Sequence, residues 1–169
     1  MKTLILLRHG KSDWEDDGLP DHDRPLAKRG LKSAKAMGRF LRRAQQFPDA
    51  AVTSSAVRAR ATLEKAFEEG GWSCPVRVSE ALYEADPEHV LSEILVEPDT
   101  TERLLLVGHE PTWSELASRL IGGGALVIPT GCAARVDFDV PSWRDVAFGK
   151  GKLAWLLPPR LFTDGDFNL

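Results

Sequence analysis

The sequence predicts an α/β layered fold. Three observations carry that expectation. Short apolar runs alternate along the chain with segments whose apolar residues recur at helical spacing. Gly, Pro and Asp punctuate the boundaries between them. Two of the apolar runs, 3–7 and 103–107, end in the same way, on Arg8-His9-Gly10 and on Gly108-His109.

The elements follow in order. Residues 3–7 are a continuous apolar run, as expected of a strand buried on both faces. A loop rich in Asp, Gly and Pro spans 11–25. Leu31, Ala34, Met37, Gly38, Leu41 and Ala44 then mark one face of a helix. A short strand is expected at 50–53, and a helix over 57–69 with Ala59, Leu63, Ala66 and Phe67 inward. Gly70-Gly71 stops it. Val76 and Val78 indicate another short strand. Asp86 is expected to cap the next helix, and Pro87 suits its first turn. Its buried stripe is Val90, Leu91, Ile94 and Leu95. After the strand at 103–107, Pro111 opens a helix with Trp113, Leu116, Ala117, Leu120 and Ile121 on one face. Gly122-Gly123-Gly124 ends it. Val136, Phe138 and Val140 alternate with Arg135, Asp137 and Asp139, the pattern of a half-exposed strand. A last strand is expected at 153–157 before a Pro-rich tail.

The chain of 169 residues has no repeat or linker and reads as a single domain over 1–169. A formal net charge of -3 argues against a nucleic-acid binder that works by bulk charge. Cys74 and Cys132 lie in no CxxC or Cys/His cluster, so they read as free thiols in a reducing compartment. The first apolar run meets Arg8 too early for a signal peptide. No run approaches membrane-spanning length. A cytoplasmic monomer without membrane association is expected.

In open α/β sheets, ligands bind beyond the carboxyl ends of the strands. His9 and His109, delivered there by separate strands, can converge on one pocket. Gly10 allows the backbone close to a ligand. At 54–59, Ser54-Ser55-Ala56-Val57-Arg58-Ala59, a strand turns into a helix whose free N–H groups suit phosphate. Ser54 and Ser55 are equally readable as helix caps. Arg58 opposes the helix dipole, which hints at an anion nearby. Arginine forks match phosphoryl oxygens, and a neutral histidine is a competent nucleophile. The chain has no GxxxxGK[ST] loop and no carboxylate cluster with metal spacing, so neither an NTPase nor a metal phosphatase is favoured.

These residues carry a resemblance. Arg8-His9-Gly10-Lys11-Ser12, Asp21-His22-Asp23-Arg24-Pro25-Leu26, the 54–59 turn, Gly108-His109-Glu110-Pro111 and Pro129-Thr130-Gly131 are similar to the histidine phosphatase superfamily, and to its SixA-type phosphohistidine phosphatases in particular. The resemblance implies a three-layer, phosphoglycerate-mutase-like fold: a mostly parallel central sheet with helices on both faces. It implies that His9 is transiently phosphorylated, that Arg8, Arg58, His109 and Ser12 bind the phosphoryl group, and that neither metal nor cofactor is required. Ser55 stands where relatives often have Pro. Ala27 stands where many have a Ser or Thr cap, a loss of about 1 kcal/mol locally.

The proton donor stays open between Glu84 and Glu110, and either reads equally as a surface carboxylate. The substrate stays open between a phosphorylated protein, with phosphohistidine favoured, and a small phosphorylated metabolite. A module that binds phosphate without turnover is the reading of a different class. The basic run Lys28, Arg29, Lys32, Lys35, Arg39, Arg42 and Arg43 reads as a solvated helix face or as a dock for an acidic partner.

Overall fold

A computed structural model describes residues 1–163 of the chain. The strands are β1 (Lys2–Arg8), β2 (Ala50–Ser54), β3 (Val76–Ser79), β4 (Arg103–Gly108), β5 (Ala133–Phe138) and β6 (Gly151–Leu157). They form one sheet in the order β3-β2-β4-β1-β5-β6. The β3–β2, β2–β4 and β4–β1 pairs are parallel. β5 and β6 are antiparallel additions beyond β1. The expected mostly parallel sheet is therefore present.

The helices are α1 (Lys28–Arg43), α2 (Val57–Gly70), α3 (Pro87–Leu95), α4 (Thr112–Leu120) and the short α5 (Arg160–Thr163). Alternation along β1 shows how they are distributed. Leu4 and Leu6 join a core with residues of α3 and α4, including Val90, Ile94, Trp113 and Leu116. Ile5 and Leu7 join a second core with Met37 and Leu41 of α1 and Ala59, Leu63 and Ala66 of α2. All four β1 residues are fully buried. Each such leucine or isoleucine contributes about 1.5–3 kcal/mol relative to exposure. Successive side chains point to opposite faces, so an unbroken apolar run must be covered on both sides. The result is the three-layer arrangement.

Two sequence expectations are corrected. β5 ends at Phe138, so Val140 lies outside it. The alternation within β5 is as read, with Val136 and Phe138 buried and Arg135 and Asp137 partly exposed. Arg135 and Asp137 on it pair with each other at 2.8 Å. Finally, the residue that caps α2 is Ala56, with no side-chain cap, so Ser54 and Ser55 are not simple helix caps. Asp86 does cap α3, accepting from the His89 N–H at 2.8 Å. Ala27 precedes α1 with no side-chain cap.

Two glycines permit close approaches that position the loop after β1. A Cβ on Gly10 would lie 2.6 Å from the Gly30 carbonyl oxygen, and one on Gly30 would lie 2.2 Å from the Lys11 carbonyl oxygen. The chain after His9 therefore packs backbone to backbone against the first turn of α1.

Candidate active site

β1, β2 and β4 run parallel and finish at one edge of the sheet, at Arg8, Ser54 and Gly108. The residues that follow these ends meet. The His9 and His109 rings lie 5.0 Å apart between centroids, tilted by 51°. Arg58, in the first turn of α2, is only 7% exposed, as is His9. The sequence expectation that two strand ends and one strand-to-helix turn converge is thus met in the geometry.

The partners of His9 determine which nitrogen is available. Nδ1 lies 2.7 Å from the Gly10 carbonyl oxygen. A carbonyl only accepts, so Nδ1 carries the ring proton. Arg58 Nε donates to Nε2 at 3.3 Å. An arginine only donates, so Nε2 holds a lone pair. Burial, reinforced by the charges of Arg58 and Arg8, lowers the His9 pKa to about 4. His9 is therefore a neutral imidazole with its free electron pair on Nε2 near neutral pH.

His109 is held at its other side. Its Nε2 lies 2.7 Å from Ser54 Oγ, the same oxygen that accepts from the Ala56 N–H at 3.3 Å. Its Nδ1 is buried without a partner among the described residues. Burial first, then His9 and Arg58, lowers its pKa to about 3. The permanent positive charge of the site thus comes from arginine.

Arg58 is anchored by Asp21 from the loop before α1. Nη2 meets the Asp21 carboxylate at 2.9 Å, and Nη1 donates to the Asp21 carbonyl oxygen at 2.5 Å. Tyr83 donates its hydroxyl to the same carboxylate at 2.8 Å. Thr62, one turn along α2, donates to the Arg58 carbonyl oxygen and accepts from the Gly10 N–H at 3.0 Å. Arg8 is held differently. Its Nη1 donates to the Ile128 carbonyl oxygen at 3.0 Å, and its Nε is buried and unpartnered among the described residues. A cleft of about 590 Å³ opens beside this constellation, with Asp21, Arg58, Tyr83 and His109 in its wall.

The histidine phosphatase superfamily (branch 1) model matches residues 4–93, which carry β1, the loop after it and the Arg58 turn. The chain belongs to that superfamily. A protein of Mycobacterium tuberculosis without an assigned function is 39% identical over 163 residues, covering 80% of this chain and 99% of that one. The candidate phosphohistidine phosphatase SixA of Nakamurella multipartitia superposes with a TM-score of 0.82 at 29% identity, covering 93% of this chain and 96% of that one. The SixA-type resemblance of the motifs extends to the three-dimensional fold. A mycobacterial glucosyl-3-phosphoglycerate phosphatase has a TM-score of 0.69 at 17% identity, over 92% of this chain and 98% of that chain, a likeness of fold alone.

The other expected residues of this histidine phosphatase are less alike in placement. Glu110 is committed to the start of α4, where Oε1 accepts from the Ser114 N–H at 3.1 Å and the Ser114 hydroxyl at 2.8 Å. Ser114 Oγ in turn accepts from the Ile128 N–H at 2.9 Å, so Glu110 supports the segment whose carbonyl holds Arg8. Glu84 is exposed in the cleft wall, at a positive φ of 53°. Ser12 is buried in a single bridge with Leu26, and no hydrogen bond joins its hydroxyl to the two histidines or two arginines.

Sequence reasoning missed Asp21 and Tyr83. Asp21 was visible only as the first residue of the Asp21–Leu26 motif segment, with no role of its own. The usable signal was Arg58 itself: a cation buried in a helix first turn needs an anion, and the Asp21 carboxylate is the one beside it. Ser55 is also informative, because its hydroxyl meets His22 Nε2 at 2.9 Å. A proline there would lack that hydroxyl.

Proposed function

We propose that the chain is a metal-independent phosphatase that works through a phosphohistidine on His9, with protein phosphohistidine as its substrate. The observation that carries the chemistry is the His9 tautomer, set by Gly10 and Arg58 from opposite sides of the ring. Nε2 attacks phosphorus, the leaving group departs on the far side, and water then releases inorganic phosphate from His9. Arg8 and Arg58 balance the oxygen charges that spread in a loose phosphoryl-transfer transition state. His109 Nδ1, unpartnered among the described residues, is the donor left for a phosphoryl oxygen.

The substrate choice rests on the proton donor. An alkoxide is a poor leaving group unless it is protonated, and a positioned acid usually supplies about 100- to 10,000-fold. An imidazole leaves already protonated near neutrality. Here Glu110 is spent on α4, Glu84 is exposed, and Asp21, bonded by Tyr83 and Arg58, has its pKa lowered and so stays ionised. This set suits a leaving group that needs no strong acid. A panel of phosphoramidate, aryl phosphate and alkyl phosphate substrates tests it. The first two should be hydrolysed much faster, and the Glu84→Gln and Glu110→Gln variants should each lose less than about tenfold on phosphoramidate. Efficient alkyl phosphate hydrolysis that collapses in either variant would move the substrate to a metabolite.

A further inference from the structure

Residues of the basic run on α1 differ in their partners. Lys35 and Arg39 reach Glu69 of α2, at 3.9 and 2.5 Å, and Arg42 lies over the Phe47 ring. The side chains of Arg29 and Lys32 have no hydrogen-bond or ion-pair partner among the described residues. With Arg160 of α5, which also has none, they line a cavity of about 480 Å³. Its wall holds no Asp or Glu among the described residues, and Ser33, Pro129, Thr130, the Pro158-Pro159 pair and Thr163 complete it. Like charges gathered with no counter-ion among the described residues repel one another, so such a cluster is relieved when an anion enters. Prolines make the wall stiff, which lowers the ordering cost of binding.

This cavity shares no residue with the cleft that contains Arg58 and His109. It does share a segment with the candidate nucleophile. Pro129 and Thr130 lead directly into Gly131, whose N–H donates to the His9 carbonyl oxygen at 2.9 Å and the Arg8 carbonyl oxygen at 3.2 Å. The cavity wall is thus one residue along the chain from the backbone that supports the catalytic histidine.

We infer that this cavity docks an acidic segment of the phosphoprotein on which His9 acts, its carboxylates pairing with Arg29, Lys32 and Arg160. The inference rests on the phosphoprotein reading of the active site. A protein that places its phosphohistidine at His9 brings neighbouring surface with it, whereas a small phosphate ester occupies the cleft alone. Charge pairs at a rim act mainly on encounter and specificity. Their effect belongs in KM and in salt dependence, not in kcat.

Two arms decide it, each comparing the natural chain with the combined Arg29→Gln, Lys32→Gln, Arg160→Gln variant. In the first, dye-labelled peptides rich in Glu or in Gln are titrated by fluorescence anisotropy. The Glu peptide should bind the natural chain, weaken with salt, and lose its advantage in the variant. In the second, chemically phosphorylated histidine peptides with Glu or Gln flanks are hydrolysed. The Glu-flanked peptide should have a kcat/KM about tenfold higher, through KM, and the variant should erase that preference. Hydrolysis of para-nitrophenyl phosphate should be the same in both proteins. Equal binding of the two peptides, or a preference that survives in the variant, would overturn the inference. So would binding of tripolyphosphate without binding of the Glu peptide. If para-nitrophenyl phosphate is hydrolysed but neither phosphohistidine peptide is, the substrate reading fails, and the anisotropy arm alone decides the cavity.

Discussion

His9 is held by two bonds of opposite sense, one to the Gly10 main-chain carbonyl and one from Arg58. Replacing the ring by His9→Ala should abolish turnover and leave the fold intact, with the loss in kcat, as for a covalent catalyst. Circular dichroism and single-turnover kinetics check both parts. The two histidines also predict a pH dependence of stability. Burial holds His9 at about 4 and His109 at about 3, below the ordinary histidine value of 6.5. The unfolded chain therefore binds more protons than the folded one between pH 6.5 and those lower values. Stability conferred by the neutral rings is complete above about 6.5 and is lost as pH falls through the window. The melting temperature should decline from pH 6.5 toward pH 4, and His109→Gln should flatten that decline. An equally steep decline in the variant would remove His109 as its cause. Catalysis in the same window should persist below pH 6, because His9 is still neutral there.

At the scale of elements, the loop before α1 acts on α2 through Asp21. The carboxylate takes Nη2 of Arg58 while the Asp21 main-chain carbonyl takes Nη1, and Tyr83 holds the carboxylate there; under the proposed function a phosphoryl group competes for this guanidinium. Asp21→Asn removes a negative charge beside the site and retains the backbone carbonyl that also binds Arg58. Binding of phosphate or tungstate should tighten several-fold, consistent with about 1 kcal/mol of removed repulsion. Calorimetric titration reads this, and a marked weakening would mean that Asp21 chiefly positions Arg58. Arg58→Ala should weaken the same anions and slow turnover on the order of 100-fold or more. The start of α4 is similarly sensitive. A Cβ on Gly108 would lie 2.1 Å from the Trp113 indole. Gly108→Ala should therefore destabilise the protein by about 1–3 kcal/mol through forced repacking, measured by urea unfolding.

For the whole molecule, what was legible depended on the range of the forces involved. β1 and β4 were readable because a buried parallel strand needs a continuous apolar run, and the His that follows each is plain in the chain. Arg58 was readable because its charge is misplaced for a helix start. Asp21 and Tyr83 were not, because their significance lies in one shared carboxylate joining residues 21, 58 and 83, and no local pattern encodes that meeting. Ser54 misled for a related reason. A Ser before a helix resembles a cap locally, while its hydroxyl is used mainly on His109, 55 positions away. The basic face of α1 was readable as charge, but the pairing of Lys35 and Arg39 with Glu69, and the lack of a side-chain partner for Arg29 and Lys32 among the described residues, required the packing of α2 and α5.

The claim on which the account turns is that His9 is the phosphoryl acceptor. Its most direct test is a rapid quench of the protein during turnover of phosphoramidate or an aryl phosphate, followed by intact-mass measurement and peptide mapping under alkaline conditions. The account predicts one phosphoryl group per chain, labile in acid and stable in base, located on His9 and absent from His9→Ala. Turnover with no such intermediate, or with the phosphoryl group on another residue, would contradict it.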